Sequence, residues 1–510
     1  MVENDQNSSS NRLVGYSALI ERYRLELVPN WHKSFVATSA THRISLSDGV
    51  TSEGYPNKYW PGDRLGDHLE FALKYDGTNL AILDTLFQKI EEEDFLDYLR
   101  SKPTGKYARR LWFLYEFLTG KTLPLDNLKQ GNYIDLLEPD EYYTVSPARR
   151  IRRQRINDNL MGDHRFCPMV RRTDILRDFE KADFSERCLR VMSAYSQELL
   201  KRALAYLYNK ETKSSFEIEH IKASSTRTER FVALLQLAER EDFCEKSSLI
   251  DLQNRIVDSR FRDSEYRSSQ NYVGETIAWQ KEKVHFACPK PEDLVDLMAG
   301  WFDAHKRMDT GNVPAVIHAA CIAYGFVFLH PFEDGNGRIH RFLIHNILAR
   351  GGATPEGVMF PISASMLKNP GDYDASLEAF SRHLMSLVEY SLDEEGRMTV
   401  HNDTARWYRY IDMTPQVEAL FQFIEKTIDT ELASELAFLA NHDQVKLVIQ
   451  EIVDMPDQRI DLFIRFCLQN NGRLSLRKRA SHFDFLSEDE IARMEQAVQS
   501  AYLPAATATP

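Results

Sequence analysis

Two apolar segments on either side of a short glycine-containing loop constrain the fold of this chain more than any other feature. The segments read AVIHAACIAYGFVF and RFLIHNILAR, and their apolar residues recur at helical spacing. The first predicts a buried helix, and the second predicts another helix that follows directly after the loop. The apolar positions are Val316, Ala319, Ala320, Ile322, Ala323 and Phe326 in the first segment and Phe342, Leu343, Ile344, Ile347 and Leu348 in the second.

The loop between them, residues 330–337, has the composition of an anion-binding turn. Gly335 and Gly337 permit positive φ angles and a close approach of the backbone, and Asn336 is the non-glycine residue that best tolerates such conformations. Successive N–H groups in such a turn attract anions, and the N-terminus of the following helix adds a partial positive charge. The loop therefore predicts a binding site for phosphate groups.

Four ionisable side chains in and after the loop suit chemistry on a bound phosphate. Arg338 and Arg341 are three residues apart, so both project from one helical face and can bind phosphate oxygens. Asp334 is a hard oxygen ligand that suits Mg²⁺ bridging a carboxylate to phosphates. His330 is of the residue type that serves as a base near neutral pH. Together these residues predict a nucleotide polyphosphate site with a metal and a base, and hence phosphoryl or nucleotidyl transfer.

The stretch HPFEDGNGRIHR matches the Fic motif, HPFx(D/E)GNGRxxR, at every specified position. The chain therefore resembles the Fic-domain (Fido) family of protein adenylyltransferases, strictly at this loop and more loosely over residues 200–395. The resemblance implies a mainly α fold, with a Fic-type helical core, a small β-hairpin flap and helical N- and C-terminal regions. It also implies an activity, the transfer of AMP from ATP to a Ser, Thr or Tyr hydroxyl of a target protein with release of pyrophosphate.

The same resemblance implies roles for individual residues. His330 would deprotonate the target hydroxyl, and Asp334 would hold Mg²⁺. The residues that would contact the phosphates of ATP are Gly335, Asn336, Gly337, Arg338 and Arg341. Among them the glycine turn would hold the α- and β-phosphates, the first arginine would orient the phosphates, and Arg341 would meet the γ-phosphate. Asn369 and Tyr373 are candidates for the adenine pocket, although core packing would explain Tyr373 nearly as well.

An upstream segment, KSSFEIEH, resembles the inhibitory helix of one Fic subclass, (S/T)xxxE(G/N). Ser215 and Glu219 are four residues apart and lie on one face of the predicted helix. The resemblance implies that Glu219 pairs with Arg341, occupies the anion site and disfavours productive binding of the γ-phosphate. His220 stands where the family usually has Gly or Asn, which predicts a less sharp helix end. Glu217 is the rival assignment for the inhibitory residue.

Residues 270–287, QNYVGETIAWQKEKVHFA, have apolar residues on either side of a polar turn and predict a β-hairpin. In the Fic family a hairpin at this place is a flap that aligns the target as an added strand through backbone hydrogen bonds. The predicted target-docking residues are therefore Val273, Gly274 and Phe286. A plain surface hairpin is the alternative interpretation.

The composition limits the other functions that the chain could have. The 510 residues include 63 Lys and Arg against 76 Asp and Glu, and the net charge of -13 argues against broad, non-specific nucleic-acid binding. The N-terminus lacks the apolar core of a signal peptide, and no apolar run reaches the roughly 18 to 20 residues of a membrane span. The six cysteines show neither CxxC pairs nor zinc-ligand spacing with histidines. We therefore expect a soluble, cytoplasmic protein with reduced thiols and no membrane association.

The pattern along the chain predicts three folded regions after a polar tail. The tail, at 1–12, is expected to be disordered. The folded regions are a helical N-terminal domain at 13–200, a Fic catalytic domain at 205–395 and a helical C-terminal domain at 406–502. The catalytic domain would contain the inhibitory helix at about 212–220 and the flap. Residues 40–65 are rich in Ser, Gly, Asp and Pro and predict loops, and the polar stretch 391–405 suits a linker.

Two basic stretches leave alternatives open. Residues 148–155, ARRIRRQR, favour a solvated face that pairs with local carboxylates over a contact for phosphate or nucleic acid. In the C-terminal region, Asn470-Asn471-Gly472 separates two helical patterns, and the second is basic. A helical protein–protein or homodimer module is favoured there over a DNA-binding helix-turn-helix, because the chain as a whole is acidic.

Three further functions remain compatible with these residues. The same loop could transfer another phosphate-containing group, such as UMP, phosphocholine or a phosphoryl group. With Glu219 engaged, the site could instead orient water and remove AMP from a modified target. The chain could also be a DNA-binding regulator that uses the Fic domain as a sensor. The complete set of one histidine, one aspartate and two arginines in the loop favours AMP transfer.

Overall fold

The structure, a computed structural model, describes residues 11–37, 41–47, 49–278 and 281–503. Most of the polar tail predicted at 1–12 lies outside the described residues. Helices make up 56% of the structure and the sheets are small, which confirms the prediction of a mainly α fold. Of the helices that the structure describes, none combines the length and the apolar character needed to cross a membrane.

The chain divides into two compact units, each assembled from three separate stretches of sequence. The first unit comprises Met1–Ala182, Glu229–Ala353 and Asn369–Gln422. The second unit comprises Asp183–Thr228, Thr354–Lys368 and Phe423–Pro510. The predicted catalytic loop and flap belong to the first unit, and the predicted inhibitory helix belongs to the second.

The N-terminal part of the first unit combines helices with two small sheets. The helices are α1 (Gly15–Tyr23), α2 (Leu65–Phe71), α3 (Leu80–Phe87), α4 (Glu92–Ser101), α5 (Lys106–Thr119) and α6 (Asp174–Glu180). The strands are β1 (Arg12–Leu13), β2 (His32–Ala37), β3 (Arg43–Ser47), β4 (Val50–Pro56), β5 (Ile134–Asp135), β6 (Arg149–Ile151) and β7 (Ile156–Asp158). Apolar side chains of α1 to α5 pack into one continuous core, which stabilises this part of the unit.

The first sheet has the strand order β1-β2-β4-β3, in which β2 and β4 are parallel and the other pairs are antiparallel. Two of its strands, β3 and β4, replace the loops predicted over 40–65. Every residue of β3 is exposed, so the strand has no buried face and no apolar alternation that would reveal it in the sequence. Backbone pairing with β4 alone defines it.

The second sheet, in the order β5-β7-β6, contains much of the basic stretch 148–155. Arg153 forms an ion pair with Glu116 at 3.0 Å, as the local-carboxylate interpretation predicts. Arg155 instead donates to backbone carbonyls, including that of Gly131 at 2.8 Å. These contacts are internal to the first unit, so a ligand is not needed to explain the two arginines.

The middle of the chain contains the predicted flap and helix pair. Its elements are α7 (Phe184–Met192), α8 (Gln197–Ile218), α9 (Ser225–Leu237), α10 (Lys246–Ile256), β8 (Tyr272–Ala278), β9 (Lys281–Ala287), α11 (Pro291–Thr310), α12 (Ala315–Leu329) and α13 (Asn336–Arg350). Helix α12 is buried along almost its whole length, and α13 is buried from Arg338 to Leu348, as the apolar pattern predicts. The strands β8 and β9 form an antiparallel hairpin, which confirms the prediction for 270–287.

The remaining elements complete both units. They are α14 (Ile362–Lys368), α15 (Pro370–Leu384), β10 (Tyr390–Leu392), β11 (Met398–Val400), α16 (Ala405–Arg409), α17 (Thr414–Lys426), α18 (Ala433–Ile452), α19 (Asp457–Leu468), α20 (Leu476–His482) and α21 (Glu488–Tyr502). Strands β10 and β11 form a hairpin where the sequence predicts a linker over 391–405. The following helix is anchored to the flap, because the buried Tyr408 hydroxyl donates to the carbonyl of Ala287 at 2.6 Å.

The second unit has its own apolar core in the C-terminal helices, where Ile449, Phe463 and Met494 are fully buried. Helix α20 carries the basic pattern noted above. The guanidinium of Arg479 is paired with Glu488 at 2.6 Å, and the ammonium of Lys478 lies over the ring of Phe466 at 4.2 Å. Part of the positive charge of this helix is therefore engaged within the unit.

A polar cluster in the first sheet links β2 to the turn that follows α2. His32 Nε2 lies 2.8 Å from a Glu53 oxygen, its Nδ1 lies 3.4 Å from Asp76, and the Ser34 hydroxyl donates to Asp76 at 2.6 Å. Burial by itself lowers the pKa of His32, but the hydrogen bonds and charges of Asp76 and Glu53 outweigh burial and raise it above the ordinary value.

The raised pKa of His32 predicts a pH-dependent stability of the first sheet. The stabilisation that protonated His32 provides is complete below about pH 6.5, the pKa of this histidine in the unfolded chain. It is lost as the pH rises through the higher pKa that His32 has in the folded protein. We expect the free energy of opening of β2, measured by hydrogen exchange corrected for intrinsic rates, to fall from pH 6 to pH 8. His32→Gln should remove this dependence. His42→Gln, which changes an exposed ring that binds the same Glu53, is the control and should retain it.

Candidate active site

The end of α12 sets the orientation of His330. This residue takes the left-handed conformation, with φ 50° and ψ 57°, and its N–H donates to the carbonyl of Phe326 at 2.9 Å. Its Nδ1 lies 3.1 Å from the carbonyl oxygen of Val327. Because a carbonyl only accepts, Nδ1 carries the proton of the neutral ring and Nε2 carries the lone pair. The fold therefore presents Nε2 as the basic atom.

The side chain of Asn336 holds the loop closed from within. Its Oδ1 accepts from the N–H of Phe332 at 3.1 Å, and its Nδ2 donates to the carbonyl of the same residue at 2.7 Å. The Phe332 ring is fully buried and contacts the rings of Tyr266 and Phe326. The Asn336 side chain thus shapes the loop, which leaves only its backbone N–H to serve the predicted phosphate contact.

The two loop glycines serve different purposes. Gly335 has φ 94°, and a Cβ atom there would lie 2.9 Å from Val257 Cγ1, so both its conformation and its surroundings require glycine. Asn336 and Gly337 instead lie in the first turn of α13 and are helical. The first helical bond runs from the N–H of Ile339 to the carbonyl of Gly335. The N–H groups of residues 336–338 therefore form the positive end of the helix, where anions bind.

Two arginines of α13 are buried beside this helix N-terminus. Arg338 is fully buried, and its Nη2 donates to Asp334 Oδ1 at 2.6 Å. Among the described residues, the other oxygen of Asp334 has no hydrogen-bond partner, and 37% of this side chain is exposed. An accessible carboxylate oxygen beside an anion site fits a hard divalent cation. Arg341 is also buried, with Nη1 3.5 Å from the Tyr373 hydroxyl.

Aromatic packing accounts for one of the two adenine-pocket candidates. Tyr373 is buried, and its ring stacks at 6.3 Å on that of His340, whose pKa burial lowers to about 3. His340 therefore stays neutral and also packs against Tyr324 at 4.7 Å. Core packing, the alternative noted for Tyr373, explains its position. Asn369 lies at the start of α15 as its N-cap residue.

Arg267 is a residue of the site that sequence reasoning missed. Only 4% of it is exposed, and its Nε donates to the carbonyl of His330 at 2.8 Å while its backbone N–H donates to that of Pro331 at 2.8 Å. Its other two nitrogens bind the carbonyls of Ser269 and Pro289. One buried guanidinium therefore joins the predicted catalytic loop to both ends of the flap. No local motif signals this role, because the partners are backbone atoms and most of them are distant in sequence.

A second missed support lies on the outer side of the loop. The buried Gln253 donates to the carbonyl of Asp334 at 3.3 Å and to Asp263 at 3.1 Å. Asp263 in turn accepts from the N–H of Glu333 at 3.3 Å. These contacts bind the middle of the loop to α10 and the segment after it.

The flap residues also divide into two roles. The Phe286 ring is buried against Phe328 and Tyr408, so it anchors β9 to the helices. Val273 is exposed on β8. At Gly274 a Cβ atom would lie 2.6 Å from the carbonyl oxygen of Lys283, next to a register shift in the hairpin. The structure thus leaves β8 as the accessible strand of the pair.

A cavity of about 380 Å³ opens between the flap, the end of α12 and α15, and His330 forms part of its wall. The flap contributes Val273 and Phe286, and α15 contributes Leu377 and Ser381. The residue predicted to act as a base therefore lines a space large enough for a side chain of another molecule.

The predicted inhibitory segment forms the end of α8 in the second unit. Ser215 is fully buried and Glu219 is the C-cap residue. His220 has φ 54°, its N–H donates to the carbonyl of Glu217, and the next N–H donates to that of Phe216. These two bonds form the helix-ending motif that usually contains glycine. The prediction of a less sharp helix end is therefore wrong, because the histidine adopts the left-handed conformation.

One further group of described residues has metal-ligand atoms close together, namely Asp242, Cys244 and His305. The Asp242 carboxylate lies 3.2 Å from His305 Nε2 and 3.3 Å from an Arg350 nitrogen, and it accepts from the N–H of Cys244. Burial raises the pKa of Asp242, but these partners outweigh burial and lower it to about 2. Hydrogen bonds and an ion pair within the first unit account for this group.

Comparisons with known proteins agree with the motif. Residues 243–348 match the Fic/DOC family. The chain is 32% identical over 124 residues to "Protein adenylyltransferase Fic" of Culex quinquefasciatus, which covers 23% of this chain and 22% of the relative. It is 24% identical over 200 residues to the protein of the same name from Nematostella vectensis. That alignment covers 38% of this chain and 34% of the relative. The chain thus spans only a fifth to a third of the length of these curated relatives.

Two solved structures are also similar to the chain. A Fic family protein from Desulfovibrio desulfuricans G20 aligns with 64% of this chain and 84% of its own, at 18% identity and a TM-score of 0.38. A Fic domain containing signaling protein from Bacteroides thetaiotaomicron VPI-5482 aligns with 52% of this chain and 97% of its own, at 19% identity and a TM-score of 0.36. The family match confirms the resemblance over residues 243–348. The subclass with an N-terminal inhibitory helix stays a prediction.

The contacts of Arg267 predict that it holds the loop in place. Arg267→Lys keeps the charge but cannot reach all of the carbonyls, so we expect the free energy of opening of residues 330–335 to fall by about 2 kcal/mol. Hydrogen exchange of a peptide covering 326–340 measures this. Arg260→Lys changes an exposed arginine that pairs with Asp258 and lies over the Phe261 ring, and it should leave the exchange unaltered. Equal exchange in the two variants would contradict the positioning role.

Proposed function

We propose that the chain transfers AMP from ATP to a hydroxyl group of a target protein. The observation that carries the proposal is the arrangement around His330. His330, whose Nε2 carries the lone pair, lines a cavity, and directly after it in the chain lie the positive end of α13 and the buried Arg338 and Arg341. A base that lines a cavity for the acceptor and is followed in the chain by an anion site suits the transfer of a phosphate-containing group. The match to the Fic/DOC family and the names of the relatives support AMP as that group.

The proposed reaction uses the residues as follows. The target hydroxyl attacks the α-phosphorus of ATP, its proton passes to His330 Nε2, and the bond from the α-phosphorus to the bridging oxygen breaks to release pyrophosphate. The N–H groups of residues 336–338 and the two buried arginines stabilise the charge on the phosphates. Asp334 would hold Mg²⁺, which would supply positive charge to neutralise the charge on the leaving group.

Removal of the base provides the direct test. We expect His330→Ala to lower the rate of transfer from α-labelled ATP by about 10²- to 10⁴-fold. His383→Ala, which removes an exposed histidine of α15, is the matched control and should keep the wild-type rate. The mass of the modified protein should increase by one AMP. An unaltered rate in His330→Ala would refute the assigned base, and a different added mass would identify transfer of another group.

We also propose that Glu219 inhibits the reaction, on the basis of the (S/T)xxxE motif and its place at the end of α8. A carboxylate in the anion site would compete with the γ-phosphate of ATP. Glu219→Gly should therefore increase AMP transfer by about 5-fold or more, the range of a modest coupling free energy. Glu217→Gly, two residues away on an exposed position, is the control. An increase in the control alone would assign the brake to Glu217.

A further inference from the structure

We infer that the cavity beside His330 selects target segments that carry Arg or Lys two positions from the modified hydroxyl. The inference concerns the acceptor side of the same reaction and therefore rests on the proposed function. It follows from the charges, the apolar floor and the strand edge that surround the cavity.

The charges of the cavity wall are acidic. Asp374 and Glu378 of α15 and Glu275 of the flap line it, and none of the lining residues that the structure describes is a lysine or an arginine. Glu275 is partly neutralised, because Lys283 lies 3.2 Å and His285 3.3 Å from its carboxylate. The acidic character of the wall therefore comes mainly from the two residues of α15.

Asp374 and Glu378 are one helical turn apart and exposed. Neither carboxylate forms an ion pair or a side-chain hydrogen bond with any residue that the structure describes. This includes Arg382, which lies one turn further along α15. Two like charges at this spacing destabilise a helix, and a cation between them would remove the repulsion. This pair favours a ligand with a positive charge over a neutral or acidic one.

The floor of the cavity is apolar. Phe286 and Phe328 are buried beneath it, and Leu377 of α15 lies between the two acidic residues in sequence. An arginine or lysine side chain matches such a surface, because its aliphatic stem covers apolar atoms while its charged end reaches the carboxylates. A small inorganic cation would satisfy the charges and leave the floor exposed.

The geometry of an extended target gives the spacing. If the target pairs with the accessible β8 strand, residues two positions apart point to the same side and lie about 6.6 Å apart. When the hydroxyl of the target is directed at His330, the target side chain two residues away therefore lies over the same cavity, toward α15. The adjacent residues of the target point to the opposite face and are not selected.

The test uses synthetic peptides with one tyrosine and with Arg, Gln or Glu at both positions two residues from it. The enzyme is the full chain with Glu219→Gly, and the readout is kcat/KM for AMP transfer. We expect the Arg peptide to exceed the Gln peptide by roughly 5- to 10-fold, less so at high salt, and the Glu peptide to be the poorest substrate. The double variant Asp374→Asn/Glu378→Gln should reduce the Arg-to-Gln ratio to about one.

A matched charge control separates the groove from the overall charge of the protein. Glu389→Gln/Glu394→Gln removes two exposed carboxylates outside the cavity and should leave the ratio unaltered. Equal use of all three peptides, or an unaltered ratio in the α15 variant, would overturn the inference while AMP transfer stands. Absence of AMP incorporation into every peptide and into the chain itself would overturn the proposed function together with the inference.

Discussion

The reciprocal hydrogen bonds between the Asn336 side chain and the Phe332 backbone are the constraint on which the site depends. Where a loop between two buried helices is itself buried, its polar groups must find hydrogen-bond partners within the protein. Asn336 satisfies two of them from inside, and Arg267 satisfies two carbonyls from outside. These contacts fix the separation between the end of α12 and the start of α13. His330 and the N-terminus of α13 therefore keep defined positions relative to each other.

Groups of opposite charge occur near His330. The N-terminus and the arginines of α13, which follow His330 in the chain, attract anions. The carboxylates of α15, which line the same cavity as His330, attract cations. Under the proposed function, a nucleotide and a basic target segment would therefore bind to different parts of the site, and neither would compete strongly for the place of the other.

The end of α8 shows how a departure from a motif can preserve its geometry. A glycine or asparagine usually supplies the left-handed residue that ends such a helix, and here His220 adopts the same conformation. The capping bonds depend on the backbone and not on the side chain, so the helix stops at the same place. Glu219 consequently occupies the C-cap position, as it would with the usual sequence.

The sequence by itself determined the helices of the core and the residue types of the loop between them. Apolar periodicity is a local signal, so α12 and α13 could be predicted, and so could the hairpin, from its polar turn between apolar residues. The roles proposed for the loop residues also come from the sequence, because these residues are contiguous and their types match the needs of phosphate transfer. Strand β3 could not, because a strand without a buried face has no alternation. Only the tertiary structure decided that Arg267 and Gln253 support the loop, that Asn336 shapes it, and that Asp374 and Glu378 line the same cavity as His330. These roles depend on contacts between residues distant in sequence, and no local pattern encodes such contacts.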